Sequence, residues 1–142
     1  MKSFSALVVL LIAILASALA ADNDDPFEST RFKCQKEYGF SDEELLAGEE
    51  NLEPMKCFLF CFLKDLQIAD DTGNFDPAVA TMMLDDDIRD TAKSAIYKCH
   101  ADYLTVSEPC QHSYEVVKCF KETLPEIYKM LGIFRPPQIM SQ

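Results

Sequence analysis

The sequence predicts an all-α fold of about six helices, cross-linked through its cysteines. Three observations carry this. Apolar residues recur at helical spacing, most clearly at Met55, Phe58, Leu59, Phe62, Leu63 and Leu66, which follow i, i+3, i+4, i+7, i+8, i+11. No stretch sustains the period-two alternation of a strand, and with four glycines and no Asn-Gly pair the chain lacks hairpin chemistry. Six cysteines, separated by 22, 3, 37, 10 and 8 residues, fall on segments that otherwise carry helix signals.

The elements follow in order. Phe27 to Tyr38 reads as a first helix, with Gly39 placed for a left-handed C-cap. Ser41 and Glu44 form a capping box ahead of Leu45 and Leu46, which opens a short second helix stopped near Gly48. The third begins at Pro54, where a missing N–H costs nothing in the first turn. Cys57, Phe60 and Cys61 make this helix apolar around nearly its whole circumference, so it belongs at the centre of the fold. After the polar loop Asp70 to Asn74, Asp76 and Pro77 start a fourth helix whose inner face is expected at Ala78, Val79, Met82 and Met83. Asp85, Asp86 and Asp87 suit the N-terminus of a fifth, because the helix dipole favours acids there. That helix repeats Ile88, Ala92, Ala95, Ile96, Cys99 and Tyr103 on one face. Ser107, Glu108 and Pro109 open a sixth, carrying Cys110, Tyr114, Val117, Cys119 and Phe120. A short turn from Pro125 to Leu131 ends at Gly132, and Pro136 and Pro137 prevent the tail from continuing as helix.

Lys2, the apolar run Ala6 to Ala16, and the pair Ala18 and Ala20 make a secretory leader, residues 1–20, cut after Ala20. A membrane anchor would need roughly 20 apolar residues, and this run soon meets Asp22, Asn23, Asp24 and Asp25. The predicted product, residues 21–142, is one secreted, extracellular domain with 12 basic and 24 acidic residues, a net charge of −12. Such acidity excludes the basic footprint of nucleic-acid binding and disfavours anionic membranes. No Asn-x-Ser/Thr acceptor for an N-glycan is present.

An oxidising compartment makes six cysteines three disulfides, with 15 connectivities available. Cys57 and Cys61 sit one turn apart on one helix, with Cβ atoms roughly 5 to 6 Å apart, too far to bond to each other. Cys110 and Cys119, separated by about 13.5 Å of helical rise, are excluded likewise, and ten connectivities remain. The third helix is therefore stapled to two different partners. Three cross-links in a domain of this size fit either a core weakened by a cavity or the ordinary robustness of an extracellular protein, and composition does not choose.

The pattern Cys57-x3-Cys61 with Cys110-x8-Cys119 resembles the six-cysteine signature of the insect odorant-binding proteins, the pheromone and general odorant-binding proteins, over the whole mature chain. The resemblance implies the pairs Cys34–Cys61, Cys57–Cys110 and Cys99–Cys119, and helices packed around an apolar cavity. It implies a carrier of small hydrophobic ligands, meaning odorants, pheromones or fatty-acid-like lipids, rather than an enzyme. It leaves room for a membrane receptor and a homodimer as partners. A role in smell does not follow from cysteine spacing.

Ligand contacts would then come from inward-facing apolar residues: Phe58 and Phe62 on the third helix, Met82 and Met83 on the fourth, Ile96 on the fifth, and Tyr114, Val117 and Phe120 on the sixth. The resemblance adds Ile133 and Phe134, because in that family a C-terminal segment often folds back over the pocket. Arg135 or Lys64 could meet a carboxylate head group at the mouth. No cofactor or metal is expected. His100 and His112 lie near cysteines, but disulfide sulfur is not a thiolate ligand. Asp70 to Asn74 begins like an EF-hand, yet Phe75 stands where glycine is required. No G-x-S-x-G or H-E-x-x-H motif occurs. The competing reading is an extracellular protein-interaction module with a solid helical core.

Overall fold

A computed structural model of the protein describes residues 25–48 and 53–135. The leader with its cleavage after Ala20, and the prolines of the tail, lie outside the described residues. Those residues form seven helices and no strand: α1 Pro26–Tyr38, α2 Asp42–Ala47, α3 Glu53–Asp65, α4 Pro77–Met82, α5 Asp86–Asp102, α6 Pro109–Thr123 and α7 Pro125–Leu131. The seventh is the segment read from sequence as a terminal turn.

Local chemistry sets the helix ends. Asp25 accepts from the Phe27 amide at 3.0 Å and starts α1, which ends at Gly39 with φ +71°. The capping box is complete, with Ser41 N donating to Glu44 Oε2 at 2.8 Å and Glu44 N to Ser41 Oγ at 3.2 Å. Asp76 caps α4 through Ala78 and Val79, and Glu108 caps α6 through Cys110 and Gln111. Asp85 occupies the N-cap of α5 without a side-chain cap bond. In the first turn that follows, Asp86 pairs with Arg89 at 2.5 Å.

α3 is the centre of the bundle. Its stripe Met55, Phe58, Leu59, Phe62, Leu63 and on to Leu66 is buried throughout, each side chain contributing about 1.5 to 3 kcal/mol of transfer free energy. α3 packs most extensively against α6 and then against α1, α5 runs beside α4 and α6, and α7 folds onto α6. The disulfides follow this layout. Cys34–Cys61 ties α1 to α3, Cys57–Cys110 ties α3 to α6, and Cys99–Cys119 ties α5 to α6, with Cα separations of 5.9, 4.5 and 5.7 Å.

The inner face of α4 is only partly the one expected, since Val79 and Met83 pack half-buried against the core but Ala78 and Met82 do not. Met82 is 67% exposed and Ala78 is exposed, while Ala80, Thr81 and Leu84 are buried. The buried set Ala80, Thr81, Leu84 has helical spacing, but Thr81 disguises it in the sequence, and its hydroxyl needs no outside partner because it donates to Pro77 O at 2.7 Å. A six-residue helix followed by the run Met82-Met83-Leu84 offers too few turns for periodicity to identify a face.

Candidate functional site

An apolar cavity of about 70 Å3 lies inside the bundle. α3 contributes Phe62 and Leu63, α5 Ile96 and Cys99, and α6 Val116, Val117 and Phe120. α1 supplies Phe27, whose ring lies 5.9 Å from that of Phe62. α4 and the residue pair after it bring Ala80 and Leu84. Ile68 and Phe75 come from the loop between α3 and α4, which doubles back through an Ala69–Phe75 antiparallel bridge and an Asp76 N to Ile68 O bond of 2.7 Å. Leu131 and Ile133 close the last side, with Ile133 only 6% exposed in the segment that follows α7. Every lining side chain is apolar, which suits a nonpolar occupant and offers nothing for acid–base chemistry.

Of the ten residues proposed from sequence to touch a ligand, Phe62, Ile96, Val117, Phe120 and Ile133 line this cavity. The other five do not. Phe58 is fully buried one turn away, its ring 6.4 Å from Phe62 and 5.7 Å from Phe134, so the tail aromatic stacks on α3 instead of facing the cavity. Met82 points to solvent and Met83 is half-buried against the core. Tyr114 is buried, but its ring lies under Lys56 Nζ at 5.2 Å and Lys118 Nζ at 5.7 Å. Residue type identified these five as apolar, and the direction each faces depends on neighbours the sequence does not order. Phe27, Ile68, Phe75 and Leu84 were missed because they sit at a helix end, in a loop or beyond a short helix. Leu63 and Val116, by contrast, lie within stripes that periodicity does mark.

Charges hold the frame around the cavity. Asp65 at the end of α3 accepts from Thr30 Oγ1 at 2.7 Å and from Lys33, fastening α1, and these bonds hold its carboxyl below the ordinary aspartate value. Asp70 accepts from the backbone and side chains of Thr72 and Asn74, with Thr72 Oγ1 at 2.7 Å, which lowers its pKa to about 2. His112 Nδ1 donates to Gly73 O at 2.8 Å, pinning that loop to α6 and fixing Nε2 as the acceptor when the ring is neutral. Lys64, a candidate for a ligand head group, instead pairs with Asp71 at 2.8 Å and lies over Phe60. Arg135 is exposed at the end of the segment carrying Ile133. All six cysteines are oxidised, so none remains as a thiolate for metal binding or nucleophilic chemistry.

Residues 16–123 of the sequence match the PBP/GOBP family. The chain belongs to that family. It is a family of ligand carriers, not of enzymes. Among solved structures, an odorant binding protein of Locusta migratoria is similar over 78% of this chain and 88% of its own, with TM-score 0.66 and 20% identity. The medfly odorant binding protein CcapOBP22/CcapOBP69a gives 77% and 97% coverage, TM-score 0.63 and 18% identity. Odorant binding protein 7 from Anopheles gambiae, solved with four disulfide bridges and an azo compound, gives 80% and 96% coverage, TM-score 0.60 and 22% identity. At these identities the structures establish a shared fold for this PBP/GOBP chain. No curated protein sequence matches it significantly. Among the described residues, no helix is long and apolar enough to cross a membrane.

Proposed function

We propose that this chain is a secreted, single-domain carrier, residues 21–142, that encloses one small hydrophobic molecule in the cavity between α1, α3 and α6. The observation that carries the reading is the wholly apolar lining contributed by six of the seven helices and the segment after α7. Ligand binding expands the cavity. A cavity of about 150 Å3 is the scale that admits benzene, and 70 Å3 is smaller. The side chains with least restraint are those outside the disulfide-bonded core, notably Leu131 and Ile133 beyond Cys119. Moving Ile133 aside costs about 1.5 to 3 kcal/mol of burial, which a tail of roughly four methylenes offsets at about 0.8 kcal/mol each. Membrane receptors and a second copy of the chain are compatible partners of such a carrier.

The test is displacement of an environment-sensitive naphthylamine dye from oxidised protein by alkanols, esters and fatty acids of graded length. Affinity rising with chain length into the micromolar range or below is the expected result. Failure of every lipophilic compound to bind at micromolar concentration would overturn the carrier reading in favour of a solid-core interaction module. Mass spectrometry of the secreted product should find Ala21 at its N-terminus.

A further inference from the structure

Arg31 lies in the middle of α1 with 5% of its surface exposed, and its Nε is buried without a hydrogen-bond partner. One turn on along the helix, Gln35 Oε1 is also buried without a partner, so it does not serve Arg31 Nε. Asp25 and Glu28 act on Arg31 only through their charge, and Asp25 Oδ1 is already engaged by the Phe27 amide. Burial pushes the guanidinium below its ordinary pKa, against the opposing charges of Asp25 and Glu28. A buried charge in this condition is costly, and a fork of N–H donors is shaped to hold a carboxylate by two parallel bonds.

Its position relates it to the cavity. Arg31 is four residues beyond Phe27, on the same face of α1, and Phe27 lines the cavity. On the other side, Ile133 lines the cavity and Arg135 follows two residues later, close enough for its charge to act on Arg31. Two like charges therefore stand together where the α1 wall meets the segment after α7. Phe27 and Ile133 are the lining residues nearest to these two charges along the chain.

We propose that this seam is the head-group end of the ligand site and that the preferred ligand is a long-chain carboxylic acid, its tail in the apolar cavity and its carboxylate on Arg31, with Arg135 outside it. This rests on the carrier reading and gives it a ligand class. The carboxylate accepts from a donor group that now has no partner, and its charge relieves the repulsion between the two arginines.

The experiment compares dodecanoic acid with methyl dodecanoate and dodecanol by dye displacement at pH 7.5 and low salt, in the wild type and in Arg31→Gln, Arg31→Lys and Arg135→Gln. The wild type should prefer the acid over the ester by at least about tenfold, as charge-assisted hydrogen bonds require. Arg31→Gln should reduce that preference to within about twofold while leaving ester affinity within about twofold, which also shows that the variant is folded. Arg31→Lys should keep part of the preference, and Arg135→Gln should weaken it by about two- to threefold, since exposed charges are screened. Equal affinity of the wild type for acid and ester would overturn the proposal and leave the carrier intact. So would an acid preference that survives Arg31→Gln, or parallel loss of acid and ester binding in that variant, which marks Arg31 as structural. Binding of neither ligand nor dye would overturn the carrier itself.

Discussion

Replacing Ile133 with alanine should move stability and ligand affinity in opposite directions. The side chain is 94% buried, being 6% exposed, and it lines the cavity from a segment that no disulfide restrains. Ile133→Ala removes three carbons, a loss of about 2.4 kcal/mol at roughly 0.8 kcal/mol per buried methylene. Void left behind adds little here, because the segment can relax toward its neighbours. At roughly 3 to 4 °C per kcal/mol for a domain of this size, the ligand-free protein should melt about 7 to 10 °C lower. A ligand that must push Ile133 aside loses that same burial in the wild type and not in the variant, so affinity should rise by up to about fiftyfold. Calorimetric melting with and without dodecanol, together with dye displacement, measures both quantities. Leu45→Ala is the control. Leu45 is fully buried on α2 and does not line the cavity, so it should lose about 2 to 5 kcal/mol of stability with affinity unchanged. If Ile133→Ala weakens binding in proportion to its loss of stability, Ile133 is a wall against which the ligand rests, and the account of an expanding cavity fails.

Three further outcomes follow from other parts of the fold. Gly73→Ala places a Cβ 2.8 Å from Pro109 Cα and Cβ on a backbone with φ +88°, and should cost at least about 1 to 3 kcal/mol; an unchanged urea midpoint would show that the loop and α6 are not in contact there. Asp70 should titrate near its low value of about 2 in a carboxyl NMR experiment, against 3.8 for the unperturbed group. Because the folded pKa is the lower one, its stabilising contribution is complete above about pH 4 and disappears as pH falls towards 2; a midpoint near 3.8 would show that the Thr72 and Asn74 bonds are absent in solution. Removal of one disulfide at a time by paired Cys→Ala changes should destabilise in the order Cys57–Cys110, Cys34–Cys61, Cys99–Cys119, following sequence separations of 53, 27 and 20. Loop entropy separates the first and last by about 0.9 kcal/mol, and the reverse order in denaturant titrations would mean that native contacts outweigh it.

The sequence made α3 legible because its apolar residues run for more than three turns with Lys56, Lys64 and Asp65 outside the stripe. The same logic placed Ile96 on α5 and Val117 and Phe120 on α6, all of which line the cavity. It failed on α4, where two turns and three consecutive apolar residues leave the rotation of the helix to its neighbours. It failed again at Tyr114, since an aromatic ring satisfies a buried stripe and a pair of lysine side chains equally well. Ile68 and Phe75 carry no periodicity at all, and the Ala69–Phe75 bridge with the Asp76 N to Ile68 O bond turns them inward. Arg31 was invisible for a different reason: a charged residue in a helix reads as surface, and only packing shows it to be buried.

The staples divide the cavity wall unequally. Phe62, Leu63, Ile96, Cys99, Val116, Val117 and Phe120 stand on α3, α5 and α6, which Cys57–Cys110 and Cys99–Cys119 join into one covalent unit. Phe27 lies seven residues before Cys34, near the start of α1, while Ala80 and Leu84 fall in the long interval between Cys61 and Cys99. Leu131 and Ile133 come after the last cysteine. Half of the lining residues thus stand on the three helices joined by these two staples, and the other half on segments held by hydrogen bonds and packing and, for Phe27, by the single staple of α1. In a protein with a solid core, cross-links spread over the whole surface would give the same stability. Here they fix one side of an apolar space and leave most of the other to noncovalent contacts, which a ligand can rearrange without breaking the contacts between α3 and α6 on which the fold depends.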